Sequence, residues 1–333
     1  MEYRRLGTTG MQVSAISIGA WLTYGSSEVS DDRSRACLRT AIDNGINFID
    51  VANAYSRGGA EELVGEVIRD YDRTKLVIST KAFFPMSDDI NDQGLSRKNI
   101  MQSVEKSLKR LGTDYVDIFF CHRYDIHTRV DETVRAIEDL IRQGKILYWG
   151  TSMWTGSQIE DAIDAADKFN AYRPVIEQPL YNMLDRHAVE GGLEETLGKH
   201  GIGLVVWSPL AGGLLTGKYD KGIPGDSRAA THSEGFIQEG FSEYRLERAR
   251  KISQLANMLE VKPAALALAW ALKHHNVDSV ITGATKPEHV LSNLEALQIN
   301  LTAEIEQAIE DILGNKPVTS MRTIVHPDEI AAL

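Results

Sequence analysis

The sequence predicts a parallel (β/α)8 barrel, a TIM barrel, with an N-terminal β-hairpin and an extra C-terminal helix. Short apolar runs alternate with segments of helical periodicity, which is typical of parallel strands joined by helices. Eight such runs favour a closed barrel over an open sheet. Asp50, Tyr55, Lys81 and His122 also come at or just after the ends of three successive runs. In barrels of this kind, the chemistry collects at the C-terminal ends of the strands.

The predicted strands follow one another in a regular order. The segments YRRL, TTG and MQVSAI predict a hairpin with a Thr-Gly turn. The eight barrel strands are expected at AISIG, INFID, KLVIST, YVDIFFC, ILYWGTS, PVIEQ, GLVVW and SVITG. Most of these runs are continuously apolar, as expected for strands that are buried on both faces.

Helical periodicity lies between these runs. Residues 59–70, 96–111 and 131–143 each place their apolar side chains on one stripe, and Ser96 is the expected N-cap of the second segment. Residues 302–313 predict one more amphipathic helix after the last barrel helix, with Thr302 as its expected cap. The alternation of strands and helices therefore continues to the C-terminal part of the chain.

Two stretches interrupt this alternation. Residues 208–241 are rich in Gly, Ser and Pro, and a loop of this length inside a compact domain is usually functional. The tail at residues 315–333 contains two prolines and no period, so it is expected to be irregular. Because the sequence shows no linker, repeat or low-complexity segment, residues 1–333 are expected to form a single barrel domain.

Composition excludes several classes of partner. The chain has 333 residues, is 43% hydrophobic and carries a net charge of −11. An acidic protein lacks the basic face that binds nucleic acid, although a local cluster of cations can still bind an anionic cofactor. The N-terminus lacks the apolar segment of a signal peptide, and no uncharged apolar run reaches the ~18 residues of a membrane helix. We therefore expect a cytoplasmic protein without a nucleic-acid partner and without direct membrane insertion.

The cysteines and the paired histidines do not predict a second reactive site. Cys37 and Cys121 are expected to be reduced thiols. Cys121 precedes His122, but neighbours in a strand point to opposite faces, so packing is favoured over a Cys–His nucleophile. His274 and His275 lack the spacing of metal ligands, so no metal site is expected.

The four polar residues at the strand ends suit proton transfer to a carbonyl oxygen. A phenol has an ordinary pKa of about 10, and the Lys81 ammonium is expected to lower the pKa of Tyr55. Asp50 can hold Lys81, while His122 can orient a carbonyl oxygen or assist in a proton relay. A proton donor of this kind suits hydride addition to the carbonyl carbon, and the hydride must come from a cofactor.

Two other interpretations of these residues remain open. Each residue alone fits a structural role: Asp50 and Lys81 as an ion pair, Tyr55 as a loop aromatic and His122 as a packed residue at the barrel rim. A lysine at a strand end can also form a Schiff base, as in barrel aldolases, which would make Lys81 the reactive group.

Several motifs resemble the aldo-keto reductases. The D-x4-Y pattern of FIDVANAY, the Lys that ends VISTK and the His of IFFCHR resemble the catalytic tetrad of that family. Other segments resemble one branch, the β-subunits of voltage-gated potassium channels and their bacterial relatives. These segments are TSMW, EQPLYNMLDR, WSPLAGGLLTGKY, SRA at 227–229, PAALALAWAL and ILGNKPV. The similarity extends from about Tyr3 to Val318.

The resemblance implies a role for each matching residue. Tyr55 would donate the proton, with Asp50, Lys81 and His122 as its catalytic partners, and Trp21, Tyr55 and His122 would border the substrate. The residues that would contact the cofactor are Trp21, Asp50, Ser152, Gln178, Trp207, Ser208, Leu210, Gly212, Lys218, Arg228, Gly283, Thr285, His289 and Asn293.

Within the cofactor set, the resemblance implies distinct contacts. Ser152 and Gln178 would hold the nicotinamide carboxamide, and Trp207 would stack against the nicotinamide ring. Lys218 and Arg228 would approach the 2′-phosphate that distinguishes NADPH from NADH, so the expected cofactor is NADPH/NADP+. The residues from Ser208 to Gly212 would cross the pyrophosphate, and the residues from Gly283 to Asn293 would bind the adenosine.

The resemblance implies an enzyme that reduces small aldehydes or ketones with NADPH. His122 stands where the animal channel subunits carry Asn, which favours reductase activity. The alternative is an accessory subunit that senses the nicotinamide cofactor, with slow or vestigial activity and a membrane channel as its partner. The likeness to channel subunits also suggests a homotetramer.

Overall fold

The computed structural model describes residues 1–22, 24–25, 29–225, 227–230 and 240–317. Eight parallel strands form a closed barrel in chain order, and the last strand pairs with the first. A two-stranded antiparallel hairpin precedes the barrel. The strands are β1 (Tyr3–Arg5), β2 (Gln12–Ser14), β3 (Ile16–Gly19), β4 (Phe48–Asp50), β5 (Val77–Ala82), β6 (Val116–Cys121), β7 (Ile146–Ser152), β8 (Ile176–Gln178), β9 (Gly203–Trp207) and β10 (Val277–Thr282). The predicted fold class and all eight predicted barrel strands are confirmed.

Helices connect the successive strands of the barrel. They are α1 (Asp31–Asp43), α2 (Gly59–Ile68), α3 (Arg97–Leu111), α4 (Val130–Arg142), α5 (Gly156–Phe169), α6 (Glu194–His200), α7 (Glu243–Met258), α8 (Pro263–Lys273), α9 (Pro287–Leu294) and α10 (Ala303–Leu313). No single helix among the described residues is long and apolar enough to cross a membrane. Only as a pair are α7 and α8 long and apolar enough, and the two helices are bent by 99° relative to each other.

Side-chain caps set the bounds of the predicted helices. The Ser96 hydroxyl accepts a hydrogen bond from the Asn99 amide at 3.2 Å, and α3 ends where Gly112 adopts a φ of 66°. The Thr302 hydroxyl accepts from the Ile305 amide in the same way at the start of α10. Both helices therefore begin where the sequence places a capping hydroxyl. The extra C-terminal helix is confirmed.

The hairpin covers the N-terminal end of the barrel strands. Leu6 and Val13 are fully buried in the apolar cluster that fills the barrel interior. The Gly7 amide donates to Asp278 at 2.8 Å, and the Arg4 guanidinium donates to the carbonyl of Val277, where β10 begins. The end that the hairpin leaves uncovered is therefore the one formed by the C-terminal ends of the barrel strands.

The segment after β9 is irregular, as predicted. Ser208, Ala211, Gly212 and Gly213 all adopt positive φ values, of 53°, 50°, 66° and 105°. Ser208 and Ala211 are not glycines, and a positive φ is strained for a residue that has a side chain. Backbone strain of this kind is concentrated at functional sites. Much of this segment, residues 231–239, lies outside the described residues. Of the expected irregular tail, residues 315–317 form no helix or strand, and residues 318–333 lie outside the described part.

Candidate active site

A buried ion pair forms the centre of the site. Lys81, on β5, is fully buried, and its Nζ donates to Asp50 Oδ2 at 2.6 Å. Asp50 ends the neighbouring strand β4, and its other oxygen accepts from Ser79 Oγ at 2.7 Å and from Gln178 Nε2 at 3.0 Å. The Gln178 contact crosses the barrel interior. Asp50 is therefore fully hydrogen-bonded and fixes the position of the Lys81 side chain.

Lys81 also holds the phenol of Tyr55. Its Nζ lies 3.2 Å from the Tyr55 hydroxyl and 3.0 Å from the carbonyl oxygen of Val51. Tyr55 opens a short turn in which Ser56 and Arg57 adopt left-handed φ values of 49° and 51°. This strained turn carries the phenol back over the end of β4.

The pKa of Tyr55 differs from the expectation based on sequence. Burial of the phenol and the negative charge of Asp50 raise its pKa well above the ordinary value, while Arg123 opposes the rise. The expected lowering of the pKa is therefore wrong, because burial and Asp50 outweigh the opposing charge of Arg123. Tyr55 is thus protonated throughout the neutral pH range and holds a proton to donate, but the raised pKa makes the phenol a weaker acid.

His122 lies beside Tyr55, just after β6. The two ring centroids are 5.7 Å apart, and the Phe84 ring packs edge-on to His122 at 4.8 Å. Burial and the charges of Lys81 and Arg123 hold the pKa of His122 well below its usual range. The imidazole is therefore neutral near pH 7. Its Nδ1 is buried and makes no hydrogen bond to any described residue.

Cys121 does not join this group of polar residues. It is fully buried in the apolar core, and burial together with the charge of Glu177 raises the pKa of its thiol. A thiol with a raised pKa is a poor nucleophile because the thiolate is the reactive form. These properties support the interpretation of Cys121 as a packing residue.

The residues expected to hold the carboxamide lie at the same end of the barrel. Ser152 ends β7 and Gln178 ends β8, and both are buried. The Ser152 hydroxyl donates to the backbone carbonyl of Gln178 at 3.0 Å. The Gln178 side chain joins this pair to Asp50, so the expected carboxamide site is continuous with the tetrad.

Two tryptophans border the mouth of the barrel. Trp207 ends β9, and Trp21 follows β3. Their ring centroids are 5.7 Å apart with the ring planes nearly perpendicular, and both side chains are half-buried. They give the site an apolar wall suited to a flat ring.

The loop that begins at Ser208 has features that suit a diphosphate. The Gly212 amide donates to Ser208 Oγ at 3.2 Å, and Leu210 precedes a 3-10 helix at Ala211–Thr216. Gly213 adopts a φ of 105°, which favours glycine, and a Cβ there would lie 2.7 Å from Cε at the flexible end of Lys218. Successive left-handed residues can form a concave set of N–H groups that binds anions. The small residues and the nearby lysine therefore fit a diphosphate group.

The remaining expected cofactor contacts lie after β9 and β10. Gly283 is exposed, and the hydroxyl of Thr285 lies 3.3 Å from Nδ1 of His289. Asn293, on α9, is buried. Arg228 begins a short 3-10 helix, Arg228–Ala230, and its side chain lies outside the described parts of the chain.

Two residues near the site were not expected from the sequence. Arg123 directly follows His122, and its Cζ lies 5.4 Å from the centre of the Phe84 ring. Glu177, next to Gln178, is fully buried, and burial raises its pKa to about 8. The charged residue after the strand-end His in IFFCHR, and the acid before Gln178 in PVIEQ, were the available signals.

A cluster of one glutamate and two histidines lies outside the site. Glu194, from α6, contacts the paired histidines, and its Oε1 lies 2.9 Å from Nε2 of His274. One potential ligand atom from each of Glu194, His274 and His275 lies within 4.8 Å of the others. The sequence did not anticipate this group, because Glu194 is distant along the chain.

Comparisons with known proteins agree with this geometry. The sequence model of the Aldo/keto reductase family matches residues 15–313. A protein of Arabidopsis thaliana named "Probable voltage-gated potassium channel subunit beta" is 42% identical over 323 residues, which cover 95% of this chain and 98% of the relative. A protein of Oryza sativa subsp. japonica with the same name has the same identity and coverage. The family consists of oxidoreductases that generally use NAD(P)H. This chain belongs to the aldo/keto reductase family.

Proposed function

We propose that this protein is an NADPH-dependent reductase of small aldehydes or ketones in which Tyr55 donates the proton. The observation that carries the proposal is the contact between Lys81 Nζ and the Tyr55 hydroxyl, 3.2 Å apart, with Lys81 fixed by Asp50. His122 lies beside this phenol. A proton donor, a cation and a neutral imidazole thus converge at the end of the barrel where such enzymes carry their chemistry.

The chain's own residues manage the proton and the developing charge. The bound cofactor supplies the hydride to the carbonyl carbon. The raised pKa of Tyr55 keeps the phenol protonated until the carbonyl oxygen gains negative charge. The Lys81 ammonium then stabilises the phenolate that remains. The neutral His122 ring can donate a hydrogen bond to the same oxygen and so orient it.

The same geometry supports specific cofactor contacts. We propose that Ser152, Gln178, Trp21 and Trp207 hold the nicotinamide end. The strained loop from Ser208 through Leu210 and Gly212 would cross the pyrophosphate. The contacts proposed for the adenosine end are Lys218, Arg228, Gly283, Thr285, His289 and Asn293.

The Schiff-base aldolase is less well supported by the surroundings of Lys81. A Schiff base forms through a neutral, accessible amine. The Lys81 amine is fully buried, and it has an ion pair with Asp50 and further contacts with Val51 and Tyr55. Although burial lowers the pKa of Lys81, Asp50 opposes this change and favours the ammonium.

A second candidate function is that of an accessory subunit. Its support is that the relatives described above are named as probable potassium channel β-subunits and are similar over nearly the whole chain. In this role the protein would bind NADPH, turn over carbonyl compounds slowly and associate with a membrane channel from the cytoplasm as a homotetramer. In either role, we propose that residues 1–333 form one domain.

The variant Tyr55→Phe tests the reductase. It should abolish the oxidation of NADPH by aldehydes while NADPH affinity, followed by fluorescence titration, stays nearly unchanged, since the lost proton acts only in the transition state. Tyr71→Phe is the matched control, because its hydroxyl contacts Asp43 on the surface and lies outside the site. More than about a tenth of the native turnover in Tyr55→Phe would remove the phenol from this role.

A further inference from the structure

Arg123 is a half-buried cation at the mouth of the proposed active site. Its Cζ lies 5.4 Å from the centre of the Phe84 ring, and the Phe84 ring packs against His122 at 4.8 Å. Its Nη1 donates to the carbonyl oxygen of His122. The charge of Arg123 opposes the rise in the pKa of Tyr55 and contributes to the lowered pKa of His122. Its charge therefore lies next to the proposed reacting groups.

This cation has no carboxylate partner among the described residues. No Asp or Glu oxygen of the described chain lies within the 4 Å salt-bridge distance of Arg123, although the protein carries a net charge of −11. Burial lowers the pKa of Arg123, and the nearby acid Glu177 is one of the groups that oppose this shift. The Glu177 oxygens instead accept from the Thr151 hydroxyl and the Trp154 amide. Glu177 is therefore hydrogen-bonded to other donors and makes no ion pair with Arg123.

The guanidinium has donors left for a ligand. A guanidinium carries five N–H donors, and Arg123 donates through Nη1 to His122. Its Nε and Nη2 make no hydrogen bond to a described residue, and neither atom is fully buried. The Phe84 ring lies beside the guanidinium, whose Cζ is 5.4 Å from the ring centre. The planar donors of a guanidinium suit bidentate recognition of a carboxylate or phosphate.

We propose that Arg123 binds an anionic group of the substrate, so that the preferred substrates are small aldehydes or ketones that also carry a carboxylate or phosphate. The inference rests on the proposed reductase function and narrows its substrate class. The carbonyl oxygen would lie at Tyr55 and His122, and the anion would lie at Arg123. The half-buried rings of Trp21 and Phe84 would cover the carbon chain between them.

Steady-state kinetics with paired aldehydes test this proposal. The first pair is 4-oxobutanoate and butanal, and the second is 4-carboxybenzaldehyde and its methyl ester. The measured quantity is the ratio of kcat/KM for the charged aldehyde to kcat/KM for its neutral partner, with NADPH saturating. Native protein should favour the charged member of each pair. In Arg123→Met the ratio should fall about ten- to hundredfold, as expected for the loss of a charge-assisted contact.

Two further variants separate recognition from other effects. Arg135→Met is the matched control, because Arg135 lies 5.3 Å from the Phe169 ring on the outer surface of the barrel. It should leave the ratio unchanged. Arg123→Lys keeps the positive charge without the planar donors, and it should restore only part of the preference. A role limited to tuning Tyr55 would instead change both members of a pair equally, which would overturn the proposal.

A binding measurement keeps the outcome decisive if turnover is slow. Calorimetry of 4-carboxybenzaldehyde with native protein, with and without NADP+, should show binding that weakens about tenfold or more in Arg123→Met. Equal binding by the two proteins would overturn the inference about Arg123. Binding that depends on Arg123, without reduction of any aldehyde, would instead support the anion site and overturn the reductase. Thermal unfolding of each variant confirms that the fold is intact.

Discussion

Replacing Asp50 by Asn should strongly destabilise the folded protein, because it leaves a buried ammonium without its counter-ion. Lys81 Nζ lies 2.6 Å from Asp50 Oδ2, and the two side chains are 0% and 4% exposed. Two unit charges at this separation attract by roughly 6 kcal/mol at an effective dielectric of about 20. The cost of burying both charges cancels part of this attraction. Breaking one side of such a pair typically costs about 3–5 kcal/mol, which we expect for Asp50→Asn and for Lys81→Met.

Urea unfolding of a double-mutant cycle measures this coupling. The double variant leaves no buried charge, so its loss of unfolding free energy should be smaller than the sum of the single losses by about 2 kcal/mol or more. The control is the pair Arg39 and Asp70, which lie 2.7 Å apart but are 44% and 57% exposed. Substitutions there should cost about 0–1 kcal/mol. Additive losses at Asp50 and Lys81, or losses no larger than in the control, would refute the reasoning.

The pH dependence of the single variant gives a second check. Burial lowers the pKa of Lys81, and Asp50 is the main opposing influence. In Asp50→Asn the folded protein should therefore bind fewer protons at Lys81 than the unfolded chain does. Stability should then rise with pH, up to the ordinary lysine pKa of about 10.4. A stability of Asp50→Asn that falls over the same range would contradict this assignment.

Three other outcomes are expected. His122→Asn should slow carbonyl reduction by roughly one to two decades while NADPH still binds in a fluorescence titration; an unchanged rate would favour the accessory subunit. Lys218→Ala and Arg228→Ala should each weaken NADPH binding by about one to two decades and leave NADH binding nearly unchanged; equal weakening of both cofactors would indicate a structural role. Burial raises the pKa of Glu177 from 4.5 to about 8, so the folded state holds a proton that the unfolded chain releases. Between these values Glu177 should lower the stability of the native protein by up to about 1.4 kcal/mol per pH unit relative to Glu177→Gln, and thermal unfolding of both proteins across this pH range measures the difference.

The fold and the proximity of Asp50, Tyr55, Lys81 and His122 could be predicted from the sequence because both depend on local patterns. The apolar runs that end at Asp50, Lys81 and Cys121 form strands at those positions. Parallel neighbours then bring the residues at their C-terminal ends together without further information. The N-caps of α3 and α10 could also be predicted, since the hydroxyls of Ser96 and Thr302 accept hydrogen bonds from the first turn of the helix that follows each of them.

The electrostatics of the site could not be predicted in the same way. The direction of the shift in the Tyr55 pKa depends on how completely the phenol is buried and on its distances from the charges of Asp50 and Arg123. The position of the guanidinium of Arg123 depends on Phe84, which follows a different strand. The contact between Glu194 and His274 joins residues 80 positions apart. These properties arise from tertiary packing, and no local pattern in the sequence encodes them.

Burial is the main reason why the proposed donor and the imidazole are both neutral. Burial lowers the pKa of His122, and the charges of Lys81 and Arg123 act in the same direction. Burial also raises the pKa of Tyr55, and the charge of Asp50 adds to the rise. The two groups that would touch the carbonyl oxygen therefore lie outside their titration ranges near neutral pH. The remaining positive charges are those of Lys81, which lies beside the phenol, and of Arg123, which lies at the mouth of the proposed site. In the proposed reaction, negative charge that develops on the substrate oxygen would be stabilised next to Lys81, and Arg123 would attract an anionic substrate to an otherwise acidic protein.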